Sequence, residues 1–373
     1  MKRGMLRRLL CTCVVTAAAF AATTISASAC TTIYVGGDLN EEGTPFVART
    51  EDYGSDYNKL WFISESGNWK QGDHYVGCPA YGPFEWDFTH DSYRFTYFTN
   101  DIYYDGTCPE CGKKADHYSY TEFGTNEKGV SVSATETLHG NEKVTEADPY
   151  RDADWAKENG NARIGIEETD IPTIILAEAS SAREGVELLL DIYENYGCVY
   201  ASGVFICDKD EVWYIENCSG TQYVAIKLND NMIFLEPNMA VIGRVDLDDE
   251  NVIASKDLIA VAKKAGTFVG DEEKNIIDFR ASYARISETM DQRMIDGLNY
   301  LNASYKYDSD ALVADNTKFT ISNLDANDKL VALYTNIKAD RKLDKDDIFG
   351  YYKLSSIGKA SNQEIEIFQL FKD

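Results

Sequence analysis

The start of the chain sets the terms for everything after it. Lys2, Arg3, Arg7 and Arg8 form a basic start, Leu9 to Ala22 is a mostly apolar run, and Ala27-Ser28-Ala29 has the small residues of a signal cleavage site. Cleavage after Ala29 makes Cys30 the first residue of the mature protein. A terminal Cys carries a thiol and a free α-amine on one residue. That amine, with an unperturbed pKa of about 7.7–8, titrates close enough to neutrality to take the thiol proton, so no histidine is needed. Two blander readings of Cys30 stand beside this one. A Cys directly after a signal is the lipid attachment site of bacterial lipoproteins, although such signals usually carry Leu where Ala27 stands, and a structural half-cystine is the third reading.

Cys30-Thr31-Thr32-Ile33-Tyr34-Val35-Gly36-Gly37 reads as a strand closed by glycines, and Pro45 to Arg49 as a second strand meeting it in a hairpin. The pair brings Arg49-Thr50-Glu51-Asp52 beside the chain start. Further on, Asn126-Glu127-Lys128-Gly129 fits a tight turn, with Gly129 tolerating positive φ, and leads into the alternating strand Val130, Val132, Ala134.

Four pieces, Cys30-Thr31-Thr32, Arg49-x-x-Asp52, the block Asn126 to Thr137 and Glu364-Ile365-Glu366-Ile367-Phe368-Gln369, are similar to a known family. They resemble the secreted cysteine-type dipeptidases of the N-terminal nucleophile (Ntn) hydrolase superfamily, cousins of bile salt hydrolases and penicillin V acylases, and cover most of the mature chain. The resemblance implies an α+β fold, the four-layer αββα sandwich of two antiparallel sheets flanked by helices. It implies Cys30 as nucleophile, Arg49 lowering the thiol pKa, Asp52 orienting the α-amine, and Asn238 donating to the oxyanion. It also places an active-site Arg among Arg280, Arg285 and Arg293, of which Arg293 is favoured. In the acylase cousins the end of the 130–135 strand supplies an oxyanion donor, where this chain has Thr135-Glu136. A carboxylate cannot donate unless protonated, so Glu136 is read as attracting the α-ammonium of a peptide substrate. The plainer alternatives are a surface ion pair for Arg49 and Asp52, a turn-forming Asn238 after Pro237, and a solvated strand-end Glu136.

The formal net charge is −26, and removing the four basic residues of the leader takes the mature chain to about −30. Nucleic acid and anionic membrane surfaces are therefore disfavoured as partners. No apolar run after Ala29 approaches the roughly 18 residues of a membrane span. Setting Cys30 aside, six cysteines remain after the leader, an even number that suits disulfides in an oxidising compartment. Cys108-Pro109-Glu110-Cys111 looks like half a zinc knuckle inserted near 105–117, with Cys78, His74, His90 and His117 as the only nearby completions; a local disulfide or free thiols is the preferred reading. Asp246 to Glu250 and Asp344 to Asp347 lack calcium-loop spacing and read as solvated turns. No metal or organic cofactor is expected.

Between the motifs, the aromatic-rich stretch Asp56 to Tyr104 contains a strand at Tyr93 to Phe98, and His139 to Glu168 reads as polar and exposed. Ile171 to Tyr196 predicts two helices, with Ser181-x-x-Glu184 as a capping box and Gly197 as a stop. Tyr200–Ile206 with Glu211–Glu216, and Tyr223–Leu228 with Met232–Leu235, predict two hairpins. Ser255 to Ala265 and one or two segments within Lys274 to Tyr300 predict further helices. One domain over 30–373 follows the leader over 1–29, and the chain stops at Asp373 where relatives continue, as a short enzyme or a truncated product. The expectation is a secreted or cell-surface dipeptidase acting on dipeptides or short peptides through a thioester. An Ntn acylase and a lipid-anchored binding protein are the alternatives. Intact-mass measurement of the exported protein is expected to show a chain starting at Cys30 with an unmodified α-amine; a lipid adduct or a different first residue would contradict it.

Overall fold

The structure is a computed structural model that describes residues 30–52, 58–77, 83–100, 121–287, 291–307, 319–325 and 327–371. The leader, Cys78, His117 and the Cys108/Cys111 segment lie outside the described residues, and the zinc and disulfide expectations placed there go with them.

Among the described residues, twelve strands make the two main sheets. In chain order they are β1 (Thr31–Val35), β2 (Phe46–Asp52), β3 (Lys59–Ser64), β4 (Phe95–Asn100), β5 (Phe123–Asn126), β6 (Ser131–Thr135), β7 (Ser202–Cys207), β8 (Val212–Asn217), β9 (Tyr223–Lys227), β10 (Ile233–Glu236), β11 (Val252–Ala254) and β12 (Asn362–Gln369). The helices are α1 (Glu142–Ala147), α2 (Ala153–Glu158), α3 (Ile171–Glu178), α4 (Ala182–Asn195), α5 (Leu258–Ala265), α6 (Phe279–Tyr283), α7 (Gln292–Leu301) and α8 (Lys345–Tyr352). The small sheet has the order β10-β1-β2-β12 and the large one β11-β9-β8-β7-β6-β5-β4-β3. Neighbouring strands run antiparallel.

Alternation along the strands sorts side chains to the two faces of each sheet. Tyr34, Val47 and Phe234 of the small sheet meet Phe205, Tyr214 and Val224 of the large one in a shared core. Phe205 stacks on Phe234 with ring centroids 5.6 Å apart. The opposite residues of the small sheet, Ile33, Phe46 and Leu235 among them, pack on Met294, Ile295 and Leu298 of α7 and Ile348 and Tyr351 of α8. On the far side, Val132, Ile206 and Ile215 of the large sheet pack on Ile174 and Ile175 of α3 and Val186 and Leu189 of α4. The result is the expected αββα layering.

The hairpin of β1 and β2 forms with Thr31 opposite Thr50 and Val35 opposite Phe46. Gly129 takes φ +85°, and the Asn126 side chain caps the turn from the amides of Lys128 and Val130. Ser181 caps α4 through the Glu184 amide, and Gly197 ends it at φ +75°.

Four expectations need correction. Tyr223–Leu228 and Met232–Leu235 are not a hairpin: after Leu228 the chain turns and crosses to the other sheet, where β10 pairs with β1. Both strands are buried on both faces, so their hydrophobic pattern does not name a partner. The 139–168 stretch is not simply exposed, because it carries α1 and α2 and ends in buried Glu167 and Glu168. Cys198, Cys207 and Cys218 are buried free thiols: Cys207 and Cys218 fill the inter-sheet core as small hydrophobes, and Cys198 donates to the Ser219 carbonyl at 3.1 Å. Asp344 to Asp347 is the capping box of α8 rather than a plain solvated turn. Among the described residues no helix is long and apolar enough to cross a membrane.

Leu298 lies in the layer that covers the β1 strand, whereas Leu330 is solvent-exposed. Leu298→Ala is expected to cost about 2–5 kcal/mol in urea unfolding, and Leu330→Ala less than about 0.5 kcal/mol. Equal effects would contradict the layering.

Candidate active site

The register of the small sheet assembles the site. Thr32 stands between Arg49 on β2 and Glu236 on β10. One step further toward the start of β1, Cys30 lies beside Glu51 of β2, and Asn238 comes two residues past the end of β10. Cys30, Thr32 and Tyr34 share the face that looks into the gap between the sheets, so the thiol sits at the mouth of that gap, 7% exposed. Its Sγ donates to Glu51 Oε2 at 3.5 Å. The Thr135 hydroxyl, at the end of β6, lies beside the thiol and is buried with no other hydrogen-bond partner.

Arg49, 1% exposed, is the hub beneath Cys30. Its Nη2 pairs with Glu51 and lies 4.0 Å from Glu168, and its Nε is 3.9 Å from Glu366. Nη1 donates to Ser133 Oγ at 3.1 Å and to the Ala134 carbonyl, both on β6 of the other sheet. A surface ion pair with Asp52 is thus excluded. Arg49 is buried, and its closest carboxylate is Glu51, on its own face of β2.

These charges set one another's protonation. Burial alone would raise the Glu51 carboxyl, but Arg49 and Lys59 hold it below its ordinary value. Burial pushes Glu366 up to about 8 against the pull of Arg49. Glu168 is held well above the usual range by burial and by the charge of Glu51. The thiol of Cys30 is also pushed up, by burial first and Glu51 second. Arg49 acts on it in the expected downward direction and is outweighed.

Asp52 faces the other way. It pairs with Asn362 of β12, its Oδ1 accepts from the Asn362 side chain, and its Oδ2 is buried without a hydrogen-bond partner. Burial pushes its carboxyl up to about 6. Arg293, in the first turn of α7, does not touch the thiol. It donates to the Cys30 carbonyl at 3.0 Å, to Thr31 Oγ1 at 3.1 Å and to the Pro237 carbonyl at 3.1 Å, with Asp291 Oδ2 2.8 Å away. It clamps the start of β1 to the end of β10. Asn238 follows that end in a left-handed turn, φ +59°, with its Oδ1 buried and unpartnered. Glu136 follows Thr135; its amide donates to Glu168 Oε2 at 3.0 Å. Its side chain reaches solvent, yet enough protein surrounds it for desolvation to push the carboxyl up to about 7.

The structure therefore gathers Cys30, Arg49, Asp52, Asn238, Arg293 and Glu136 at one end of the sandwich. The motif reading overlooked Glu51, Thr135, Glu168 and Glu366. Strand alternation gives a signal for two of them: Glu51 shares a face with Arg49, and Glu364-Ile365-Glu366-Ile367 alternates. Glu168 has no local signal. Among the described residues no group of three His, Cys, Asp or Glu side chains is arranged to hold a metal ion.

Residues 29–372 match the model of Peptidase family C69. The chain belongs to that family. It is 34% identical over 241 residues to the "Probable dipeptidase B" of Streptococcus pyogenes serotype M3, covering 64% of this chain and 43% of the relative. It is 31% identical over 262 residues to the "Probable dipeptidase" of Salmonella dublin, covering 69% and 53%. The "Dipeptidase" of Bifidobacterium longum is 32% identical over 222 residues, covering 59% and 39%. This C69 chain thus aligns with about half the length of those relatives. The solved penicillin V acylase of Agrobacterium tumefaciens aligns over 91% of this chain and 79% of its own, at 12% identity and a TM-score of 0.37, a likeness too slight to carry an argument.

Glu366 binds its proton more tightly folded, at about 8, than unfolded, near the ordinary 4.5. Its ionisation therefore costs no stability below about pH 4.5 and an increasing amount as pH rises toward 8. Glu366→Gln is expected to match the parent in thermal unfolding at pH 4, to exceed it increasingly up to about pH 8 and to keep a constant lead above that. A pH-independent difference would contradict that protonation.

Proposed function

We propose that this C69 chain is an exported cysteine-type dipeptidase, matured by cleavage after Ala29, that hydrolyses dipeptide amide bonds through a thioester on Cys30. The observation that carries it is the placement of the Cys30 thiol at the mouth of the inter-sheet gap, beside a group of carboxyl side chains.

In the mature enzyme the α-amine of Cys30 takes the thiol proton. The transfer stays within one residue and leaves its net charge unchanged, so it suits a site in which burial opposes a lone thiolate. The negative field of Glu51 that disfavours the thiolate also favours the ammonium, which makes the amine a stronger base. Asp52, with its unpartnered Oδ2, holds that ammonium. The thiolate attacks the peptide carbonyl carbon, and charge moves to the carbonyl oxygen. Asn238, the Thr135 hydroxyl and nearby backbone amides donate to this oxyanion; one such donor contributes about 3–4 kcal/mol in comparable sites. When the C–N bond breaks, the leaving nitrogen takes the proton from the α-ammonium. Water then attacks the thioester, the amine accepts its proton, and the thiol is restored as the new carboxylic acid departs. Arg49 and Arg293 are positioning residues: one fixes Glu51 and links the sheets, the other fixes the backbone on both sides of the nucleophile.

Glu136 and Glu168 make the substrate preference. Glu168 lies 4.0 Å from Arg49 and accepts from the Glu136 amide, and a free α-ammonium entering beside this pair gains charge-assisted hydrogen bonds that an N-acylated amide cannot make. An Ntn acylase has no use for that wall.

Cys30→Ala is expected to lower kcat by about 10⁴-fold or more with thermal unfolding unchanged. Glu136→Gln is expected to raise KM for free dipeptides about 10- to 100-fold, with little change for N-acetylated analogues. Full activity of Cys30→Ala would end the mechanism, and a preference for N-blocked amides would shift the assignment to acyl-amide hydrolysis.

A further inference from the structure

On the other side of the thiol, past Asn238, the chain leaves a cavity of about 290 Å³ lined by His139, Asn238, Met239, Arg280, Arg285 and Asp291, among others. Its size is at the low end for a small-molecule site and fits one amino-acid residue better than a longer peptide. The order across the small sheet fixes its direction. Glu51 is on β2 and Glu168 lies 4.0 Å from Arg49 of β2, whereas the cavity is lined by Asn238, two residues past the end of β10. Thr135 touches the thiol, and four residues later His139 is in the cavity wall, so one run of chain links the two poles.

The charges in this wall are unequal. Asp291 is neutralised by Arg293 at 2.8 Å. Arg280 is buried, and its charge bears on Glu216 and Asp278. Arg285 is different: it is solvent-exposed, and among the described residues its guanidinium makes no ion pair. In a chain with 62 acidic and 36 basic residues, a cation in the cavity wall without a carboxylate partner among the described residues stands out. The Arg285 amide donates to the His139 carbonyl at 2.8 Å, so the residue is fixed to the cavity wall. Burial and the charge of Arg285 hold the His139 imidazole below its ordinary pKa, which leaves the arginine as the charged donor there.

We infer that Arg285 is a specificity-determining residue that binds the free α-carboxylate of the substrate's C-terminal residue in this cavity. The inference rests on the dipeptidase reading and deepens it. An extended dipeptide carries its two terminal charges roughly 7 Å apart, with the scissile amide between them. The acidic wall takes the ammonium, the thiol meets the carbonyl, and the guanidinium takes the carboxylate in a bidentate pair. The unpartnered Oδ1 of Asn238, a residue of the cavity wall, is the acceptor assigned to the leaving nitrogen's N–H. Longer peptides are disfavoured because their next residue puts a neutral amide where the carboxylate belongs.

The test compares a free dipeptide with its C-terminal amide on the mature full chain, in the parent, Arg285→Gln and Arg285→Lys. The parent is expected to favour the free acid in kcat/KM by about 10- to 100-fold. Arg285→Gln is expected to remove most of that preference by raising KM for the acid, with kcat and the amide's kinetics nearly unchanged, and Arg285→Lys to restore part of it. Because Arg285 is exposed, unfolding is expected to be unaffected. An acid-to-amide ratio unchanged in Arg285→Gln would overturn the subsite while leaving the peptidase reading intact. Dipeptide hydrolysis that persists in Cys30→Ala would overturn both. Calorimetry on Cys30→Ala, free acid against amide with and without Arg285→Gln, reads the same difference without turnover.

Discussion

A buried guanidinium holds the two sheets together at the end where Cys30 lies. Arg49 reaches from β2 of the small sheet to Ser133 and Ala134 on β6 of the large one. Burying an arginine is costly unless it is paired and its donors are satisfied. Glu51, Glu168 and Glu366 around it meet that requirement, although one cation cannot keep three carboxylates ionised at neutral pH. Glu51 holds its charge, while Glu366 and Glu168 are pushed toward their protonated forms. The start of β1 is thereby fixed from the β2 side, and Arg293 fixes it from the β10 side.

That construction has a chemical consequence. A site so rich in carboxylates is poor at stabilising an isolated thiolate, and burial drives the Cys30 thiol upward despite the arginine. It is well suited to ammonium groups. The two ammonium groups that matter, the enzyme's own α-amine and the substrate's, are the ones the proposed mechanism requires. With Arg285 as the proposed carboxylate partner, the polarity of the site matches a zwitterion. Specificity of this kind comes from long-range charge placement more than from pocket shape.

Much of this was legible in the sequence, for local reasons. The β1–β2 hairpin follows from glycines and β-branched residues, the Asn126–Gly129 turn from its own side chain, and α4 from Ser181 and Gly197. Cys30 was marked by its small-residue prelude, and Arg49 and Asp52 by family spacing. The Arg-x-x-Asp motif drew attention to Asp52 as a partner of Arg49, although alternation puts Glu51 on the shared face and Asp52 on the other. Glu168 joins the site through tertiary packing alone, at the end of a stretch that reads as exposed loop. The β9–β10 crossover was hidden because two strands buried on both faces carry no sheet-specific pattern. The cysteine count pointed to disulfides because even parity is blind to geometry; Cys198, Cys207 and Cys218 are reduced and packed instead.

All of the chemistry depends on one covalent intermediate. Rapid acid quench of the mature chain during turnover of a slow dipeptide, followed by peptide mapping in a mass spectrometer, reads it directly. An aminoacyl group of the substrate's first residue is expected on the peptide that begins with Cys30, absent from Cys30→Ala and lost on treatment with hydroxylamine. No adduct under conditions of accumulating product, or an adduct on any other residue, would contradict the mechanism.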